Sequence, residues 1–416
     1  MTPVPLSLPF RASDANELAN LVFELAERRP LTDEVRNRVA ARVAALRLES
    51  IRPHMGSLSR DPVHHSTYYV AVDTASENPP QLLHMALSTA PTSSIFHKPL
   101  LVGRMRRPNG PEIVINTIPF GPDDTEALEK YISRIDTGIL PRALGARPTL
   151  ITPPSAAAFD AFRTFFKRTG RNLAGIEMPA PEFNLGLWTA ARAGWRDGYS
   201  AGVVLAAEKN DRDAVRDVAR FTRFRVETAM MVREAVPAAD ADARFEREIG
   251  AEERIWILDQ FSSAFEIDGT SLEFSSSEIA AATLRFHDAL KSCERIHEWI
   301  REARSALKMP KAFDFELALP PVTTKELAFC LHWLKSSEHA AQLVASGSGE
   351  LAGTAAVARY FGCLPVVDSR ANSTDAELES ISRTAAGRLS YRVIGGPDDP
   401  AEYKTHLLHI ADALFA

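Results

Sequence analysis

Apolar and polar positions along the chain follow two patterns, which change over near residue 149. Before that point, helical spacing in ANELANLVFELAERR and DEVRNRVAARVAALRLE predicts two amphipathic helices, with Asp14 and Thr32 as their N-caps. Four β-rich runs follow, STYYVAVDT, QLLHMALST, KPLLVGRMR and EIVINTIPF, and Pro108-Asn109-Gly110 reads as a hairpin turn. Asp123 and Asp124 open the helical EALEKYISRI, and Pro141 to Pro148 reads as a linker. Residues 1–145 are therefore expected to form a smaller N-terminal α+β domain.

From Thr149 onward, apolar strands alternate with helices. TLITPP, NLAGIEMP, AGVVLAA, RFRVETA, FDFELAL, CLPVVDS and LSYRVIG are the strand candidates. A polar excursion at 235–275 precedes a long helix, which is expected to start at a Ser277 cap and end near Ala306. Continuous apolar strands with helices between them imply a parallel sheet covered on both faces. About seven such strands, and no Gly-rich phosphate loop, favour an α/β fold with a (β/α)8 TIM-barrel-like domain over residues 146–416. A doubly wound sheet is the less favoured arrangement.

Composition narrows the partners. A chain of 416 residues with 45% hydrophobic and 25% charged residues is that of a globular protein too long for one ordinary core. A net charge of −6, with no basic stripe interleaved with aromatics, argues against nucleic acid. No apolar run approaches the roughly 20 residues of a membrane helix. The N-terminus lacks both the basic and the apolar segments of a signal peptide. Three scattered cysteines fit a reducing compartment, so a cytoplasmic location is expected.

The candidate chemistry lies at the strand ends, where a βα-barrel carries its site. Glu177, Glu227 and Asp368 end three strands, Arg370 follows one, and Arg392 lies in the last. If these loops converge, Glu227 and Asp368 are the candidate catalytic bases, and Glu177, Arg370 and Arg392 the candidate substrate-binding groups. Such a pocket would suit a polar, hydroxylated or acidic small molecule. The same acids could instead cap the following helices or pair with surface Lys and Arg, as Asp398 and Asp399 are expected to do. None of the eleven histidines follows a barrel strand, so the strand ends indicate no metal site. There is also no G-x-S-x-G elbow.

Order and local wording resemble the bacterial tagaturonate/fructuronate epimerases. The fragments are RTGR at 168–171, LWTAARAGWRDGYSA at 187–201, FTRF at 221–224, the helix SSEIAAATLRFHDALKSCERIHEWI, and FDFEL at 313–317. The resemblance implies a barrel that interconverts two keto-sugar acids with a divalent metal. It also implies losses. Gly202-Val203-Val204-Leu205 stands where the family has an Asp-x-Asp-His cluster, and Met230-Met231 where it has an Asp-His pair. Pro320-Pro321 replaces an Asp-Glu pair, Asp368 to Ser373 replaces a His-Ser-Gly-Ser-Asp-Lys motif, and Arg392 stands for a lysine. A divalent cation needs the lone pairs that Val, Leu, Met and Pro lack.

Metal-dependent epimerisation is therefore expected to be lost or altered, with no cofactor. Three readings stay open: a diverged hexuronate isomerase using Glu227 or Asp368, a non-catalytic barrel binding a sugar-acid-like ligand or a protein partner, or an unrelated barrel enzyme whose matches to the family are coincidental. A homo-oligomer is a further expectation. Pro320-Pro321 is expected to lead into a helix at Thr323 and to bind nothing.

Overall fold

The structure is a computed structural model. It describes residues 11–26, 30–61, 66–73, 81–87, 100–105, 112–119, 125–135, 137–209, 211–336, 351–368 and 374–416. The expected turn at Pro108-Asn109-Gly110, the Asp123-Asp124 helix start and Arg370 fall outside these residues. The chain divides into two compact units, residues 1–140 with 184–198, and residues 141–183 with 199–416.

In the first unit, helices α1 (Ala12–Ala26) and α2 (Asp33–Ala44) precede a five-stranded antiparallel sheet. Its strands are β1 (Ile51–Asp61), β2 (Ser66–Asp73), β3 (Gln81–Leu87), β4 (Leu100–Met105) and β5 (Ile113–Pro119), in the order β1-β2-β3-β5-β4. Helix α3 (Thr125–Ile135) follows. The apolar stripe of α1 (Ala15, Leu18, Val22) packs in one core cluster with Val39 of α2 and Leu58 of β1. Thr32 caps α2 as expected, its hydroxyl accepting from the backbone N–H of Val35. Asp14 does not cap α1. It lies inside the first turn, and its carboxylate accepts the backbone N–H groups of Glu49 and Ser50.

The second unit is a seven-stranded parallel sheet with intervening helices. Its elements run β6 (Leu150–Thr152), α4 (Ala156–Thr169), β7 (Ala174–Glu177), α5 (Phe183–Ala193, grouped mainly with the first unit), β8 (Ser200–Ala206), α6 (Arg212–Asp217) and β9 (Arg223–Glu227). Helices α7 (Ala238–Glu248) and α8 (Ala251–Gln260), the hairpin β10 (Phe265–Ile267) and β11 (Thr270–Leu272), and the long α9 (Ser276–Ala306) come next. Then follow β12 (Asp314–Ala318), α10 (Thr324–Ser336), α11 (Leu351–Tyr360), β13 (Val366–Asp368), α12 (Asp375–Ala385), β14 (Ser390–Arg392) and α13 (Pro400–Phe415).

The sheet order β12-β9-β8-β7-β6-β14-β13 is chain order wrapped once round, as in a βα-barrel. The two ends of the series, β12 and β13, are not paired to each other among the described residues. The architecture is thus a mixed α/β, seven-stranded parallel sheet compatible with a TIM-like fold. No eighth parallel strand lies among the described residues.

Local chemistry sets the boundaries. The cap of α9 is Ser275, not Ser277, because Glu278 stands three residues after Ser275 and completes a reciprocal capping box with it. Thr323 caps α10 in the same way with Glu326, so the helix starts one residue later than expected, at Thr324. Asp399 caps α13, accepting from the backbone N–H groups of Ala401 and Glu402.

Candidate functional site

Side chains of a strand alternate between its two faces. In β9, RFRVE, this sends Phe224 and Val226 to the apolar face, where both are fully buried. Arg223, Arg225 and Glu227 go to the other face. In β12, DFELA, Phe315 and Leu317 share one face, and Asp314 and Glu316 the opposite one. The parallel register aligns Asp314 with Arg223 and Gly202, Glu316 with Arg225 and Val204, and Asp368 with Arg392 and Ile151. A Cβ on Gly202 would lie 3.7 Å from Cδ of Arg223, an ordinary van der Waals contact. Gly175 on β7 has no such room, because a Cβ there would come within 2.6 Å of Thr149 Cγ2.

On this face seven charged side chains from five strands form one network. Arg392 donates from Nε to Glu177 at 3.0 Å, from Nη1 to Asp368 at 2.6 Å and from Nη2 to Glu316 at 2.6 Å. Arg223 donates from Nε and Nη2 to the other Glu316 oxygen, at 2.8 and 2.5 Å. Arg225 donates from Nε to Glu227 at 2.5 Å and from Nη1 to Asp368 Oδ2 at 3.1 Å. Its Nη1 also stands 3.8 Å from Glu316 Oε1. These contacts join β12 to β14 and β9 to β13, across the place where the backbone ladder is open.

Burial grades through the network. Glu316 is 2% exposed, and the Arg392 and Arg223 side chains are buried. Glu177 and Asp368 are 23% exposed, and Glu227 is 38% exposed. Solvent therefore meets carboxylates, with the guanidiniums beneath them. Burial by itself would push Glu316 up, but the nearby Arg223, Arg392 and Arg225 reverse this and hold it down at about 2. Arg392 is disfavoured as a cation by burial, yet Glu316, Glu177 and Asp368 outweigh that and raise it above the usual arginine range. Asp314, at the start of β12, accepts the backbone N–H groups of Leu144 and Gly145, both at 3.0 Å. Burial pushes it up to about 6. It lines a cavity of about 30 Å³, large enough for one water, together with Thr149, Arg223, Glu316 and Ser390.

The candidates Glu177, Glu227, Asp368 and Arg392 thus stand in one connected cluster. Arg223, Arg225 and Glu316, which hold the cluster together, were not among the candidates. Their signal was the alternation of charge inside RFRVE and FDFEL, at positions i, i+2 and i+4.

A divalent metal does not fit these residues. Both Asp368 oxygens and both Glu316 oxygens already accept from guanidinium N–H groups. A divalent ion added among them would face three buried or nearly buried positive charges at short range. Among the described residues no group of three or more His, Cys, Asp or Glu side chains is arranged to hold a metal ion. The three cysteines are buried and form no disulfide among the described residues. No described helix is long and apolar enough to cross a membrane.

No protein-family model matches the chain, and no curated protein does. Solved structures do. A glycerol complex of the fructuronate-tagaturonate epimerase UxaE from Cohnella laeviribosi superposes with a TM-score of 0.60 at 14% identity, covering 86% of this chain and 74% of that one. The native form of the same enzyme gives 0.59 at 14% identity, covering 88% and 75%. The likeness is one of fold.

Proposed function

We propose that this chain is an epimerase-like protein of sugar-acid metabolism, of the tagaturonate/fructuronate type, in which metal-dependent epimerisation has been lost. The observation that carries the proposal is the arginine–carboxylate network. Glu177, Glu227, Glu316 and Asp368, which could have converged on a cation, converge on Arg223, Arg225 and Arg392 instead. What stays open to solvent is a rim of acceptor oxygens on Glu177, Glu227 and Asp368, suited to the hydroxyl groups of a small sugar-acid-like ligand. Arg392 has three donors committed to carboxylates, so in this reading it orients Glu177 and Asp368 and does not itself grip a substrate carboxylate.

A second reading, a metal-free isomerase, is favoured by one observation. Glu227 is the most exposed acid of the cluster, with a single oxygen on Arg225, and so could take a proton from a bound keto-sugar acid. Asp368 is less available to a ligand, because both its oxygens accept from guanidinium groups.

The test is proton NMR of tagaturonate and fructuronate with the protein in deuterium oxide, with and without Mn, Zn or Ni ions. The expected result is no interconversion and no solvent deuterium in either sugar, with a thermal shift on adding a hexuronate or keto-sugar acid. Deuterium incorporation only with bound metal would overturn the proposal. Incorporation without metal, abolished in Glu227→Gln, would establish the second reading.

A further inference from the structure

We infer that the guanidinium of Arg392 is a resident cation that assembles the inner face of the sheet in the place of a bound metal ion. Three carboxylates from three strands, Glu177 of β7, Glu316 of β12 and Asp368 of β13, meet at this one side chain, each on a different nitrogen. Glu316 is buried, so its charge depends on the guanidiniums around it. Glu316 and Asp368 belong to the two strands that end the hydrogen-bonded series, and β14, which carries Arg392, pairs with only one of them. Arg392 thus ties together an opening that the backbone leaves untied.

A planar fork with a delocalised charge satisfies three carboxylates at fixed angles, as a lysine point charge does not. Without it, three like-charged groups face one another, opposed among the described residues only by Arg223 and Arg225. A cation tethered by its own stem cannot dissociate, so the protein needs no ion for this part of its fold.

The inference goes beyond the loss of epimerisation proposed above, and the two fail separately. Deuterium uptake by the wild-type protein would end that proposal and leave this one standing.

The test compares the thermal unfolding of the full chain carrying Arg392→Met, Arg392→Lys or Arg392→Ala with the wild type. Each is measured with EDTA, with manganese or calcium ions, and with methylguanidinium. The wild-type midpoint should not respond to any additive. Arg392→Met should unfold roughly 10 °C lower, with Arg392→Lys between the two. In Arg392→Ala, whose missing stem leaves room, methylguanidinium or a divalent ion should recover a large part of the loss, with the wild type unmoved.

A stable Arg392→Met equal to wild type, or Lys no better than Met, overturns the inference. So does a wild-type midpoint that falls in EDTA and returns with metal. If Arg392→Ala does not fold, the order of Lys and Met decides; Lys and Met both insoluble counts against the charge and therefore against the inference.

Discussion

Asp314 and Glu316 are two residues apart on one strand, on the same inward face, and both are buried, yet they differ in opposite directions from ordinary carboxyl groups. At the N-terminal end of the sheet, Asp314 meets two backbone N–H groups and the small cavity, and burial pushes it up to about 6. One pleat toward the mouth, Glu316 lies among three guanidiniums and is held at about 2. Burial disfavours the charge at both positions; the number of cations within reach decides the outcome. The floor of the sheet is therefore held by hydrogen bonds to a carboxyl that would rather be neutral, and its middle by charges that cannot be given up.

The largest effect expected from breaking this contrast is at Glu316. Glu316→Gln keeps the shape but leaves Arg223 and Arg392 buried with their main counter-charge gone. Removing one member of a buried ion network costs about 3–5 kcal/mol, read from the midpoint of urea unfolding. The same substitution at Asp314, to Asn, should cost far less. Equal losses at the two positions would show that the network at Glu316 is no more than ordinary packing.

This contrast also marks what was legible in the sequence. The seven strands and their order along the chain could be read because each places an apolar row against the helices, as Phe224 and Val226 do in β9. Glu177, Glu227, Asp368 and Arg392 could be named because they sit where strands end. Arg223, Arg225 and Glu316 belong to strand runs that alternate charged and apolar residues, so they do not stand out as strand-end groups. Seeing them required reading period two inside RFRVE and FDFEL, and knowing that the strands stand near enough for opposite charges to meet. The caps show the same limit on a smaller scale. Ser275, Ser276 and Ser277 are equivalent in composition, and only Glu278, through its spacing, selects the first.

The second prediction sharpens the contrast through pH. A carboxyl whose folded pKa is about 6, above its unfolded value of 3.8, binds its proton better in the folded state. Its contribution to stability is fully present below about 3.8 and is lost as pH rises through about 6. The loss is on the order of 2–3 kcal/mol by the usual conversion of pKa difference to free energy. Asp314→Asn should therefore flatten the stability profile between those pH values and match or exceed the wild type at pH 8. Glu316 acts in the opposite sense. Its contribution is present above 4.5 and disappears as pH falls toward about 2. An unchanged profile in Asp314→Asn would show that burial does not raise this carboxyl.

The smallest effect is expected at the mouth, and it separates stability from binding. Glu227 pairs with Arg225 but is 38% exposed, so water screens the pair and competes for both partners. Glu227→Gln should change unfolding free energy by less than about 1 kcal/mol, an effect that shrinks further in high salt. If the rim of acceptor oxygens is a ligand site, the same substitution should reduce the thermal shift produced by a hexuronate, even though the unliganded midpoint hardly moves. A loss as large as that of Glu316→Gln would place Glu227 in the structural network and leave the mouth with one fewer group for a ligand. An unaltered ligand shift would move the binding contacts to Glu177 and Asp368, the two acids that Arg392 holds in place.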